Sequence, residues 1–335
     1  MSLADTPDAA LLRGPQTFMA APFSSDARGA QAAILGVPFD CGIHPFRVGA
    51  RQGPEAIRAQ SALVRRYDSE RADLDVIAEM GVVDAGDVVC TPSRIEESFA
   101  AIEEAVFRLA RQGTAPVGFG GDGVVSLPLL RGVSRVHPGI AVLHIDSHTD
   151  AYPVNPAHPI DPSTQFTHAA LEQRASPALS WHLGLRGTTI CAGAHEHARS
   201  LGYNTLTLAE FLERGQADVL AEIREKLGNR PVYLSWDMDV FDPSCAPGVC
   251  TPVWGGLSAR EGFALIRGLW GLNIVAADVN TVSPPQDVNG MTAFLAAATT
   301  FEILMAIREA RRVHGAPLDH APGFVSGGFV SGGGA

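Results

Sequence analysis

Two short acidic runs constrain this chain more than anything else in it. The first is His144-Ile145-Asp146-Ser147-His148-Thr149-Asp150; the second, about 90 positions later, is Ser235-Trp236-Asp237-Met238-Asp239. Each follows an apolar stretch, residues 139–143 and 231–234, of the length and character of a buried strand. In extended backbone, alternate side chains leave the same face. Asp146, His148 and Asp150 are therefore expected to point one way, as are Asp237 and Asp239. Carboxylates gathered at two strand ends repel one another unless cations lie between them.

Mostly carboxylate ligation with one imidazole suits hard or borderline divalent ions. Mn²⁺ fits, Ni²⁺ or Co²⁺ is tolerated, and a thiolate-type zinc site is not indicated. Two adjacent ions sharing carboxylates lower the pKa of the water held between them. Any single D-x-D or D-x-H is usually a solvated turn; the pair of runs, each behind a strand, indicates a metal site.

The surrounding pattern sets the fold class. Apolar strand-like runs alternate with helical patterns, which predicts a three-layer α/β/α fold with a mostly parallel central sheet. Ile102, Ala105, Val106 and Leu109 follow helical spacing after Pro92-Ser93-Arg94, and a further helix closes at Leu227 before Gly228-Asn229. The metal residues then fall at the carboxyl ends of strands, where open α/β sheets bind ligands. With 335 residues, 46% of them hydrophobic, the chain is ample for one large core. The expected division is an N-terminal arm (1–28), one domain (29–318) and a glycine-rich flexible tail (319–335).

In this setting the chain resembles the ureohydrolase family, which includes arginases and agmatinases, over most of its length. Leu35-Gly36-Val37-Pro38-Phe39-Asp40 is similar to the family's first strand and turn, and Gly49-Ala50-Arg51-Gln52-Gly53-Pro54-Glu55 to the opening of its first long helix. Val83-Asp84-Ala85-Gly86-Asp87, Gly184-Leu185-Arg186-Gly187 and Gly256-Leu257 follow in family order, and residues 282–293 look agmatinase-like. The resemblance implies an arginase-like fold, trimeric or hexameric assembly, and hydrolysis of a guanidino compound to urea and an amine. It implies one or two Mn²⁺ or Ni²⁺ ions on Asp146, His148, Asp150, Asp237 and Asp239. It also implies a proton-transferring histidine at His168, a role that suits imidazole because its pKa lies near neutral pH.

Two positions depart from the family pattern. Its Gly-Gly-Asp-His motif supplies a ligand to the first metal, and here Gly123 stands at the histidine position of Gly120-Gly121-Asp122-Gly123. The first metal is then left with Asp146, Asp150 and Asp237, while the second keeps Asp146, His148, Asp237 and Asp239, so the first site is expected to be weakened. The family also places a guanidinium-pairing glutamate where Thr281 stands, and a hydroxyl cannot neutralise a cation.

Three functional expectations follow. The chain is a subunit with an impaired metal site beside an intact, homologous ureohydrolase subunit, resembling in kind the nickel-dependent heteromeric members of the family. Alternatively it is a self-sufficient agmatinase- or guanidinobutyrase-like hydrolase with altered chemistry, or a non-enzymatic regulatory or binding protein on the same fold. A net charge of −11 without a basic stripe argues against nucleic-acid binding. Five scattered cysteines (Cys41, Cys90, Cys191, Cys245 and Cys250) suggest reduced thiols and a cytoplasmic setting. No apolar run is expected to reach the roughly 20 residues of a membrane span, so no membrane partner is expected.

Overall fold

The computed structural model describes residues 14–315, apart from Ile43 and Ala72. The strands are β1 (Ala32–Gly36), β2 (Tyr67–Asp68), β3 (Leu74–Asp75), β4 (Val83–Asp87), β5 (Ala115–Phe119), β6 (Ala141–Ile145), β7 (Trp181–Leu185), β8 (Asn204–Thr207), β9 (Val232–Asp237) and β10 (Ile274–Asn280). Eight of them form one sheet in the order β4-β1-β5-β10-β9-β6-β7-β8, while β2 and β3 make a separate small ribbon. Every pairing in the large sheet is parallel. The predicted fold class is thus found, with a sheet that is wholly parallel.

Alternation along the strands builds the layers. Ile34 and Leu143 join one buried apolar cluster, while their neighbours Ala33, Leu35 and Val142 join a second on the opposite face. Both faces are covered by helices, which is why the strands read as continuous apolar runs rather than as alternating ones. The predicted helices are present as Ile95–Ala110 and Gln216–Leu227.

The helix Met291–His314 has 24 residues and a mean hydropathy of 1.4 over its most apolar window, so by length and composition it matches a membrane span. That corrects the expectation that no run reaches such a length. Leu295, Ala296, Ile303, Leu304 and Ile307 of this helix are buried in the first cluster, as in a core helix. In the arm, Phe18 and Met19 are buried, and the Phe18 N–H donates to Asp84 Oδ2 at 2.9 Å. Arg58 grips the same carboxylate through two hydrogen bonds of 2.8 and 2.9 Å, tying the first helix to β4. Residues 1–13 and the tail 319–335 lie outside the described residues.

Sheet order sets the site. The chain builds β1, β4 and β5 on one side, crosses to β6, β7 and β8 on the other, and returns to place β9 and β10 between them. The carboxyl ends of β5, β10, β9 and β6 therefore lie side by side at the point where the winding reverses, the usual crevice for ligands in such sheets.

Candidate metal centre

Gly123 follows β5, Thr281 follows β10, Asp237 ends β9 and Asp146 follows β6. Four contiguous strands thus deliver the residues that the sequence marks. The local backbone differs from the expectation of side chains on extended strands. β6 stops at Ile145, so Asp146, His148 and Asp150 lie on the turn that follows it, and Asp239 sits in the short 3₁₀ turn Met238–Val240. Convergence comes from tight loops rather than from strand alternation. Two of the non-glycine residues with left-handed backbone, Asp150 (φ 47°) and Thr281 (φ 65°), are here; such conformations are costly and concentrate at functional sites.

Asp146, His148 and Asp239 present one ligand atom each within 4.8 Å of one another, and so do His144, Asp146 and Asp150. His148 Nδ1 lies 3.2 Å from Asp239 Oδ2 and 3.4 Å from Asp146 Oδ1. Asp239 is held by the Ser147 hydroxyl (2.6 Å) and the Thr251 hydroxyl (3.0 Å), and Asp237 Oδ1 accepts the Asp239 N–H (2.7 Å). Behind Asp146, His144 Nε2 approaches Oδ2 at 3.0 Å, and His144 Nδ1 pairs with His182 Nδ1 at 2.9 Å. Such outer partners fix the orientation of ligating groups. Sequence reading missed His182 and Thr251, which are marked by nothing in their own segments.

The electrostatics are those of a buried acidic cluster. Asp146, Asp237 and Asp239 are almost wholly buried, and Asp150 is 7% exposed. Burial raises the pKa values of Asp150, Asp237 and Asp239, and repulsion raises them further, from Asp146 on Asp150 and Asp239 and from Asp239 on Asp237. Burial opposes ionisation of Asp146 as well, yet His144 and His148 hold its carboxyl well below the usual range. Burial disfavours the charged form of His148, but Asp239 and Asp146 more than reverse this and raise it. The polar neighbour of the buried Asp146 Oδ2 is His144 Nε2, at 3.0 Å. Buried carboxylates that repel one another this strongly fit divalent cations better than protons alone.

A pocket opens over this cluster, and Gly123, His148, Asp150, Asp237 and Thr281 all line it. The Thr281 hydroxyl is committed to Asp237 Oδ1 at 2.5 Å. His168, expected as a proton-transferring residue, is not among the side chains that line this pocket. The helix Gln165–Leu171 begins three residues earlier, and His168 Nε2 is engaged with the Pro159 carbonyl at 2.6 Å. The imidazoles that line the pocket are His148 and His44.

Backbone contact requires glycine at 121, whereas at 123 it is neighbouring side chains that leave no room for more. A Cβ on Gly121 would lie 1.4 Å from the Phe39 carbonyl oxygen, whereas one on Gly123 would meet the Gln165 Nε2 at 2.8 Å and Asp150 Oδ2 at 3.0 Å. A side chain at 123 would thus enter the cluster, and Gln165 stands in its way.

Comparison with known proteins decides the family: the arginase family pattern matches residues 30–306. The chain belongs to the arginase family. It is 36% identical to a guanidinopropionase of Pseudomonas aeruginosa over 302 residues, 88% of this chain and 92% of that one. It is also 37% identical to an agmatinase of Photorhabdus laumondii, over 88% of this chain and 91% of the relative. Among solved structures, the proclavaminate amidinohydrolase of Streptomyces clavuligerus superposes with a TM-score of 0.84 at 35% identity, covering 89% of this chain and 98% of that one. These arginase-family relatives are, by name, amidino and guanidino hydrolases.

Proposed function

We propose that this chain is an amidinohydrolase-type subunit for a guanidino compound, whose first cation position is altered and whose turnover depends on a homologous subunit with the complete set. The carrying observation is the asymmetry of the cluster. Asp146, His148 and Asp239 present ligand atoms to one point, with Asp237 hydrogen-bonded to Asp239 beside them, while the corner at Gly123 offers no side chain and Thr281 has no charge for a guanidinium. Divalent ions bound here, Mn²⁺ or Ni²⁺, supply Lewis acidity that makes water nucleophilic at neutral pH. The chain's own part is to hold Asp146 through His144, Asp239 through Ser147 and Thr251, and Asp237 through Thr281 and the Asp239 N–H, and to bury them from bulk water. His148 keeps its ring between Asp146 and Asp239.

The same asymmetry supports a heteromeric trimer or hexamer over a self-sufficient enzyme, since a guanidinium held without a counter-charge is poorly positioned. Urea release decides it. With Mn²⁺ or Ni²⁺ added, the purified chain alone is expected to release urea from guanidino acids or agmatine at least 100-fold more slowly than when it is co-assembled with a related chain carrying histidine and glutamate at the positions of Gly123 and Thr281. Equal turnover by the chain alone contradicts the proposal.

A further inference from the structure

Gln165 occupies the space that a side chain at position 123 would enter. It is 1% exposed and opens the helix Gln165–Leu171, whose start is pinned to the metal loop where the Phe166 N–H donates to the Asp150 carbonyl at 3.0 Å. From there the carboxamide reaches Asp150, with Nε2 donating to Oδ2 at 2.5 Å. The carboxamide oxygen, Oε1, is buried and has no hydrogen-bond partner. A buried amide oxygen without a donor is costly, so a glutamine kept only to fill space is a poor choice at this position. An apolar side chain of the same volume fills space without that cost.

We infer that Gln165 replaces the side chain absent at position 123 and offers its carboxamide oxygen to a hard divalent cation held with Asp150. This inference rests on the metal reading of the cluster and goes beyond it, because it places a new ligand on a helix that the two acidic runs do not include. Nitrogen and oxygen of a carboxamide occupy nearly the same volume, and a half-turn of the amide exchanges them. Without a cation the NH₂ group donates a hydrogen bond to Asp150; with one, the oxygen would face the charge. An amide oxygen is neutral, as imidazole is, so the charge of the ligand set is unchanged. It is a harder donor, however, and shifts preference from Ni²⁺ toward Mn²⁺ or Mg²⁺.

Gly123 and Gln165 then form a compensating pair. Restoring histidine at position 123 alone would drive its Cβ to 2.8 Å from the Gln165 amide, so the restoration requires a smaller residue at 165.

The test is Mn²⁺ binding to the full chain, followed by electron paramagnetic resonance of the free ion with Ni²⁺ competition. The wild type is compared with Gln165→Met, Gln165→Glu, Gly123→His, the double variant Gly123→His with Gln165→Ala, and Asp239→Asn. Circular dichroism melts without metal establish that each variant is folded. The weaker Mn²⁺ affinity is expected to fall at least 10-fold in Gln165→Met and to rise in Gln165→Glu. Gly123→His alone is expected to gain nothing, and the double variant to recover affinity with a new preference for Ni²⁺. Unchanged Mn²⁺ binding in Gln165→Met overturns the inference while leaving the metal centre intact, and so does full restoration by Gly123→His alone. Absence of Mn²⁺ binding in both the wild type and Asp239→Asn overturns the metal reading itself.

Discussion

The two halves of the cluster, though they share Asp146 and Asp237, are built differently. Around His148 and Asp239 every charged group is braced: Ser147 and Thr251 hold Asp239, and His144 backs Asp146, with His182 behind it. Around Asp150 the bracing is sparse. Its carboxylate accepts from the Gln165 amide, its backbone is left-handed, and the facing position is a glycine whose backbone does not demand one. A site loses a ligand more readily where the remaining groups can be satisfied by hydrogen bonds than where a braced network depends on the cation.

The largest effect that would break this contrast is at Asp239. Asp239→Asn is expected to weaken tight Mn²⁺ binding on the order of a thousandfold, beyond the ~10–100-fold seen when only an outer partner is lost; isothermal titration measures it. A smaller loss there means the braced half is not the tight one.

Asp122 tests the other half, next to Gly123. Its Oδ2 accepts the Cys41 and Gly42 N–H groups at 2.9 Å each, and burial raises its pKa from 3.8 to about 6 despite those bonds. A raised folded-state pKa means that this contribution to stability is complete below about 3.8 and lost as pH rises through about 6. Asp122→Asn should remove that part of the pH dependence, at most ~3 kcal/mol, from metal-free denaturation measured between pH 4 and pH 8. An unchanged pH profile contradicts the assignment.

The smallest effect is expected at His168. Because its Nε2 is engaged with Pro159 and it lines no part of the pocket, His168→Ala should leave Mn²⁺ affinity and kcat of the assembled enzyme within about twofold. A large fall in kcat with KM unchanged would return this residue to proton transfer.

How far these features are legible in the sequence depends on range. The parallel sheet shows because strands buried on both faces carry uninterrupted apolar runs, as in residues 139–143 and 231–234. The acidic runs show because they follow those strands directly. Their alternation suggests extended backbone, but the loops after Ile145 and Asp237 curl at once, so these residues meet for a different geometric reason. The direction in which His168 faces is not legible, because it depends on where a seven-residue helix begins, which no local signal gives: neither Thr164 nor any other side chain caps it. Gln165, one helical turn earlier, carries no motif, and only the three-dimensional approach to Gly123 reveals it.

The central claim is that one cation position is complete and the other altered. Anomalous diffraction at the manganese edge, from crystals soaked at rising Mn²⁺ concentration, reads the two positions separately. The account predicts a peak first among Asp146, His148, Asp237 and Asp239, with a second beside Asp150 and Gln165 appearing only at higher concentration. Simultaneous filling of both positions, or filling beside Asp150 first, would contradict it.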